Sequence, residues 1–284
     1  MNLTELMKMR GFDTTKKIKL VRHQDPNYDT KFLYKNGMLD FYQSLQSKDV
    51  FGECDYILSF LGDEGRKAIF IGAYEKINGS LFDPNTVHIP FGYPYMDILN
   101  QPLFHYEFSK IDLLVDMIDC LVIDWGPSSR SWHQWVHEDR PKQVIEILPF
   151  GYIKEFPGFT ETILTYEELG IIVRNPDANR IWHTMLSSVA GIYLIVDTTT
   201  GNQYVGSASG QHGLLGRWRN YVDTPHGGNS RLIDLLQTDP SRYKFFQFSI
   251  LHTLPKSMVP VQVYAFENLY KQKLGSRAFG LNGN

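Results

Sequence analysis

Cysteine is nearly absent from the chain: Cys54 and Cys120 are the only two in 284 residues. Two thiols exclude a disulfide framework and a cysteine-rich zinc site, and read best as small apolar fillers in a reducing compartment. Long apolar runs are missing as well. No stretch of about 18 apolar residues occurs, so no membrane span is expected. Met1 to Leu20 mixes Lys8, Arg10, Lys16 and Lys17 with polar residues and holds no apolar h-region, which leaves a cytoplasmic protein as the expectation. Repeats and low-complexity tracts are lacking too. Charge is the last scarcity, since the formal net charge is only -3 and by itself discourages so acidic a partner as nucleic acid.

What is present changes that inference. With 43% hydrophobic and 21% charged residues the chain is of ordinary globular composition, and its length suits two domains better than one. The charge is also unevenly spread. From Ile181 onward there are 9 basic and 5 acidic residues, a balance of +4, whereas the preceding 180 residues carry -7. Such asymmetry points to segregated roles.

Hydrophobic patterning predicts an α+β chain. Ile18–Val21 reads as a strand and Tyr28–Gln46 as a helix. The runs Tyr56–Leu61 and Ala68–Tyr74 flank a charged turn and read as a hairpin. Leu121–Trp125 and Gln143–Leu148 add two strands, so residues 1–175 form a β-rich domain with one clear helix. A short helix at Tyr166–Gly170 and the polar run Asn175–Arg180 lead to a boundary between about 170 and 188. Residues 185–284 then read β-β-α-α-β-α: strands at 191–197 and 203–208, helices near 214–221 and 230–236, a strand at 245–251, and an amphipathic helix at 261–274 carrying Glu267.

In this second segment Gly191-Ile-Tyr193 is followed, at hairpin distance, by Tyr204-Val-Gly206. Arg217 and Tyr221 stand at i and i+4, on one face if that stretch is helical. Glu267 lies on the last helix and Asn282 close behind. This order of residue types resembles the GIY-YIG nuclease superfamily over essentially all of Ala190 to Asn282, with Val205 in place of the usual isoleucine. The resemblance implies a small antiparallel sheet flanked by helices, and a metal-dependent endodeoxyribonuclease acting on double-stranded DNA. It implies Tyr193, Tyr204, Arg217, Tyr221, Glu267 and Asn282 as catalytic residues, with Glu267 holding Mg²⁺ or another divalent cation. Some family members have histidine at the Tyr221 position. Tyrosine there leaves the general base open between Tyr193 and a stand-in such as His226.

The chemistry asked of these residue types is coherent. One carboxylate with several waters is an ordinary Mg²⁺ site, an arginine can fork onto phosphate oxygens while staying protonated, and a phenol can orient water. Arg219, His226, Arg231 and Lys271, with Lys244, Lys273 and Arg277, would supply salt-dependent phosphate contacts. One active site per chain makes a homodimer one route to double-strand cleavage.

The first segment offers two further cues. Phe70-Ile-Gly-Ala-Tyr74 after its charged turn resembles strands of PUA-like small β-barrels, a group that includes readers of modified bases. Asp124, Trp125, Ser129, Trp132 and Trp135 combine aromatic and polar groups of the kind that hold a flipped base, and Arg22 with His23 forms a weaker candidate pair. His133 and His137 have ligand spacing if helical, but without a third neutral ligand zinc is not expected. A restriction or anti-phage enzyme follows from this architecture. The competing readings are a non-cleaving nucleic-acid-binding protein on a nuclease-like fold and a mobile-element nuclease of homing type. The latter predicts a linear Lys-rich or zinc-finger extension, which the compact acidic first segment does not offer.

Overall fold

A computed structural model describes residues 1–127 and 131–283. The chain divides into two compact units, Met1–Leu148 and Pro149–Asn284.

The first unit runs α1 (Leu3–Met9), β1 (Ile18–His23), α2 (Thr30–Lys35), α3 (Leu39–Ser44), β2 (Leu45–Gln46), β3 (Tyr56–Gly62), β4 (Lys67–Leu81), β5 (Phe104–Ile111), β6 (Leu121–Asp124), β7 (His133–Trp135) and β8 (Val144–Ile147). Its eight strands make one sheet in the order β2-β5-β4-β3-β1-β7, with β6 pairing both β4 and β8. The expected hairpin is the antiparallel pair β3–β4. Among the described residues no pairing joins β2 to β7, so the sheet is curled and open, not a closed barrel. β1 lies parallel to β3 and antiparallel to β7. That central position buries all six of its residues and explains why an apolar segment also carries Lys19, Arg22 and His23 inside. Arg22 donates to the carbonyls of Asp63, Gly65 and Lys67.

Two local readings are corrected. The expected helix at 28–46 is split into α2 and α3 around Gly37, which takes a left-handed φ of 69° after the C-cap Asn36. The segment from His133 is a strand, so His133 and His137 do not share a helix face.

In the second unit the order is β9 (Ile163–Thr165), α4 (Tyr166–Arg174), α5 (Arg180–Ser188), β10 (Ala190–Asp197), β11 (Gln203–Ala208), α6 (Gly213–Asp223), α7 (Ser230–Thr238), β12 (Phe246–Leu254), α8 (Pro260–Lys273) and α9 (Ser276–Phe279). The antiparallel sheet is ordered β11-β10-β12-β9. Residues 149–188 belong to this unit: β9 pairs with β12, while Leu169, Ile172, Trp182 and Leu186 enter the same core as Tyr193, Trp218 and Phe248. α4 opens with a capping box in which the Thr165 side chain accepts from the Glu168 amide and Glu168 accepts from the Thr165 amide.

Strand alternation sorts the sheet's two faces. Tyr193, Ile195 and Tyr204 pack toward α4–α6, whereas Ile192, Val205 and Leu254 pack with Val263 of α8. β11 is an edge strand, and helices from both faces meet around it.

Candidate active site

The hairpin β10–β11 pairs Tyr193 directly with Gly206. A Cβ at position 206 would come within 2.8 Å of Tyr193 Cε2 and closer still to its Cζ and hydroxyl, so only glycine lets the ring cross the strand. The Tyr193 side chain is wholly buried, edge-on to Trp218 and Tyr221 at 6.3 and 6.0 Å. Its hydroxyl lies 3.0 Å from that of Tyr221 and accepts a hydrogen bond from Arg217 Nε at 3.0 Å.

Arg217 is positioned by α6, and the helical repeat that puts Tyr221 one turn on also stacks the two, with the guanidinium carbon 4.9 Å from the ring centroid. Arg217 donates from Nη2 to the Tyr221 hydroxyl at 3.2 Å and from Nη1 to the Gly227 carbonyl at 3.0 Å. Gly227 has φ 53°, and a Cβ there would meet the Tyr221 ring. Asn229 closes the network: its Nδ2 donates to the Tyr221 hydroxyl at 3.0 Å and its Oδ1 accepts from the Tyr204 hydroxyl at 2.6 Å. Three phenols, one guanidinium and one carboxamide thus form a single connected set.

Burial raises the ionisation of all three phenols well above the usual tyrosine value. Burial thus favours the neutral hydroxyl of each phenol, the form that orients its neighbours by hydrogen bonding. The set faces a cleft of about 510 Å³ lined by Tyr193, Tyr204, Arg217, Ser207, His212, Tyr264 and Glu267. Glu267 comes from α8 and reaches the cleft around the β11 edge. One carboxylate oxygen accepts from the Ser207 hydroxyl, and the other is 2.6 Å from Lys271 Nζ.

The donor set for a divalent cation is therefore one carboxylate with an adjacent hydroxyl. No group of three His, Cys, Asp or Glu side chains that could hold a metal occurs among the described residues. A single carboxylate fits a hard cation that keeps most of its waters, provided that Lys271 yields its contact.

Several sequence expectations are relocated. Lys271 is buried against Glu267 and is not an exposed phosphate contact. Asn282 is 2% exposed and outside the phenol network: Oδ1 accepts from the Val205 amide at 2.9 Å and Nδ2 donates to the Val205 carbonyl at 2.8 Å. It seals the open edge of β11, acting on the strand that carries Tyr204 and Gly206. His226 accepts from the Gly228 amide through Nδ1 and does not line the cleft. Arg219 is exposed on α6, and exposed Arg231 donates to the Gly280 carbonyl.

In the first unit the proposed base pocket does not assemble. Trp125 is fully buried, packs on Phe60 and donates Nε1 to the Ser131 carbonyl. Asp124 is paired with Arg66 at 3.0 Å. Trp135 lies under Lys19, whose Nζ is 4.4 Å from its ring centroid. Ser129 lies outside the described residues. Of the described members of this set, Trp132 alone lines a cavity of about 420 Å³, whose other walls include His23, Tyr28, Tyr42 and Gln43.

His212, Ser207 and Asn229 are functional candidates that the sequence reading passed over. His212, the N-cap of α6, stands at the cleft five residues before Arg217, close enough to Gly216 that a Cβ there would meet its own at 2.7 Å. An Asn just before a helix is ordinarily a cap; only the fold diverts the Asn229 side chain to the tyrosines.

No family model matches the chain. Nor does any curated protein match it. Among solved structures, a mutant of the catalytic domain of intron endonuclease I-TevI is 26% identical, with 34% of this chain and 94% of that chain covered and a TM-score of 0.28. A second structure, of the catalytic domain of homing endonuclease I-TevI, is 30% identical over 33% of this chain and 96% of that chain, with a TM-score of 0.27.

Proposed function

We propose that the second unit is a metal-dependent endonuclease that hydrolyses phosphodiester bonds in double-stranded DNA. The observation that carries this reading is the joining of Tyr193, Tyr204, Arg217, Tyr221 and Asn229 into one hydrogen-bonded network, of which Tyr193, Tyr204 and Arg217 line one cleft together with Glu267. Hydrolysis requires a positioned water, a group to take its proton, and positive charge at the phosphoryl oxygens. Arg217 supplies fixed charge; its guanidinium is held on three sides and needs no reorganisation when phosphate arrives. Tyr193 and Tyr204, kept neutral by burial, orient the water and the phosphate oxygens. His212 lines the same cleft and brings an imidazole, a side chain of the type that serves as general base in hydrolysis. Glu267 and Ser207 would hold the divalent cation, which supplies charge to the developing oxyanion and the leaving 3′ oxygen.

The first unit would select the target. Its cavity at Tyr28, Tyr42 and Trp132 replaces the three-tryptophan set as the place where an extruded base stacks, and a restriction or anti-phage role, with the enzyme acting as a dimer or by sequential nicks, follows from such selection. Digestion of unmodified, methylated and glucosylated hydroxymethylated DNA tests this part: Trp132→Ala should flatten any preference, and an unchanged preference would remove the cavity from target selection.

For the catalytic part the discriminating substitution is Arg217→Lys. Lysine keeps the charge but cannot serve Tyr193, Tyr221 and Gly227 together. We expect a loss of plasmid nicking of about 10²-fold or more, as for one lost oxyanion donor, close to that of Arg217→Ala. Wild-type nicking by the lysine variant would refute the role of the fork.

A further inference from the structure

Glu267 and Tyr204 are shared walls between two cavities of the second unit. On one side is the cleft with Arg217. On the other is a smaller cavity of about 300 Å³, lined by Asn229, Arg231, Lys271 and Asn282 as well. Lys271 stands at this partition, its Nζ 2.6 Å from Glu267 Oε1, and the two side chains are only 8% and 15% exposed. Spacing of i and i+4 on a helix usually yields a solvated pair of little consequence. Here both partners are largely withdrawn from water, where a charge pair is screened far less than on a solvated face.

Both Glu267 oxygens are engaged, one by the ammonium and one by the Ser207 hydroxyl. A hydroxyl has lone pairs and can stay beside a cation, whereas an ammonium has only donors and positive charge. A divalent cation binding this carboxylate must therefore move Lys271 away. The four-carbon lysine stem is flexible, and the smaller cavity gives the ammonium polar space to turn into without leaving the fold.

Resting on the nuclease reading above, we propose that Lys271 is a resident counter-ion of Glu267 that the divalent cation displaces on binding. Without metal, the ammonium keeps the buried carboxylate compensated and the α8 wall of the cleft in place. When metal binds, the same contact is a competitor, so the affinity for metal is set by Lys271 as much as by Glu267.

The test is Mn²⁺ binding to the full-length protein without DNA, read from the electron paramagnetic resonance signal of free Mn²⁺. Lys271→Met keeps the stem and removes the charge; Lys271→Gln keeps a polar end and serves if the methionine variant melts early. Expected is a dissociation constant at least tenfold lower than wild type in whichever variant melts like it, with Glu267→Gln losing the site. An unchanged or weakened affinity on removing Lys271, with Glu267→Gln still losing the site, overturns the displacement alone. Undiminished Mn²⁺ binding by Glu267→Gln overturns the metal assignment itself, and the displacement with it.

Discussion

Replacing Gly206 by alanine is the sharpest perturbation of the second unit, because a single methyl is aimed at the residue that organises the network. The added Cβ would meet the Tyr193 ring, with 2.8 Å to Cε2 the longest of its three nearest contacts there. The ring cannot step aside: it is fully buried between Trp218 and Tyr221. Overpacking of this kind costs about 1–3 kcal/mol. Any displacement of the Tyr193 hydroxyl also loses the hydrogen bond from Arg217, and a bond to a charged group is worth about 1.5–3 kcal/mol. Urea denaturation should therefore show a loss of about 2.5–6 kcal/mol. That is a large share of a usual total of about 5–15 kcal/mol. If the clash is the cause, Tyr193→Ala combined with Gly206→Ala should be less destabilised than the two single changes added together, by about 1 kcal/mol or more. Strict additivity, or a Gly206→Ala protein as stable as wild type, would refute the crossing of ring and strand as the reason for glycine.

Three further outcomes are expected. Asn282→Ala removes no hydrogen bond of the phenol network but leaves the amide and carbonyl of Val205 without the Asn282 side chain; at about 1–3 kcal/mol for each buried group, urea melts should show lowered stability, and an activity loss at full stability would instead favour a direct role in the cleft. His23 is buried beside Gln43, and burial lowers its pKa from 6.5 to about 4. The unfolded chain thus binds a proton that the folded chain refuses, so stability falls as pH drops from 6.5 toward 4, by up to about 3 kcal/mol. His23→Gln should remove that slope in denaturation curves taken across this range. The phenols behave oppositely: with ionisation raised in the fold, the second unit should hold its stability up to about pH 10 and lose it above, where the unfolded tyrosines ionise. Nicking should accordingly show no rise between pH 7 and 9 that Tyr193→Phe abolishes.

How much of this was legible in the sequence depended on the range of the interaction. The hairpin carrying Tyr193 and Gly206 and the helix face shared by Arg217 and Tyr221 followed from local rules; that the two belong together was implied only by the resemblance to the GIY-YIG superfamily. Asn229, Ser207 and His212 escaped because each reaches its partners through the tertiary fold. Asn282 carries the right residue type, yet its partner is the backbone of an edge strand 77 positions earlier, which no side-chain pattern announces. Trp125 failed as a pocket residue for a simple reason: in a central sheet a large apolar ring is most stable inside, and its one polar atom found a carbonyl six residues on. The same limit hid the parallel pairing of β1 with β3, since a continuous apolar run does not reveal its neighbour's direction.

The central claim is that the cleft of Arg217 and Glu267 cuts DNA, and conversion of supercoiled plasmid to nicked circle by the purified full-length protein in Mg²⁺ tests it most directly. The account predicts metal-dependent nicking that EDTA stops and that Arg217→Ala and Glu267→Gln each abolish at a temperature where circular dichroism shows both variants still folded. Nicking by both variants at the wild-type rate, or binding of duplexes without any cleavage by the wild type, would contradict it.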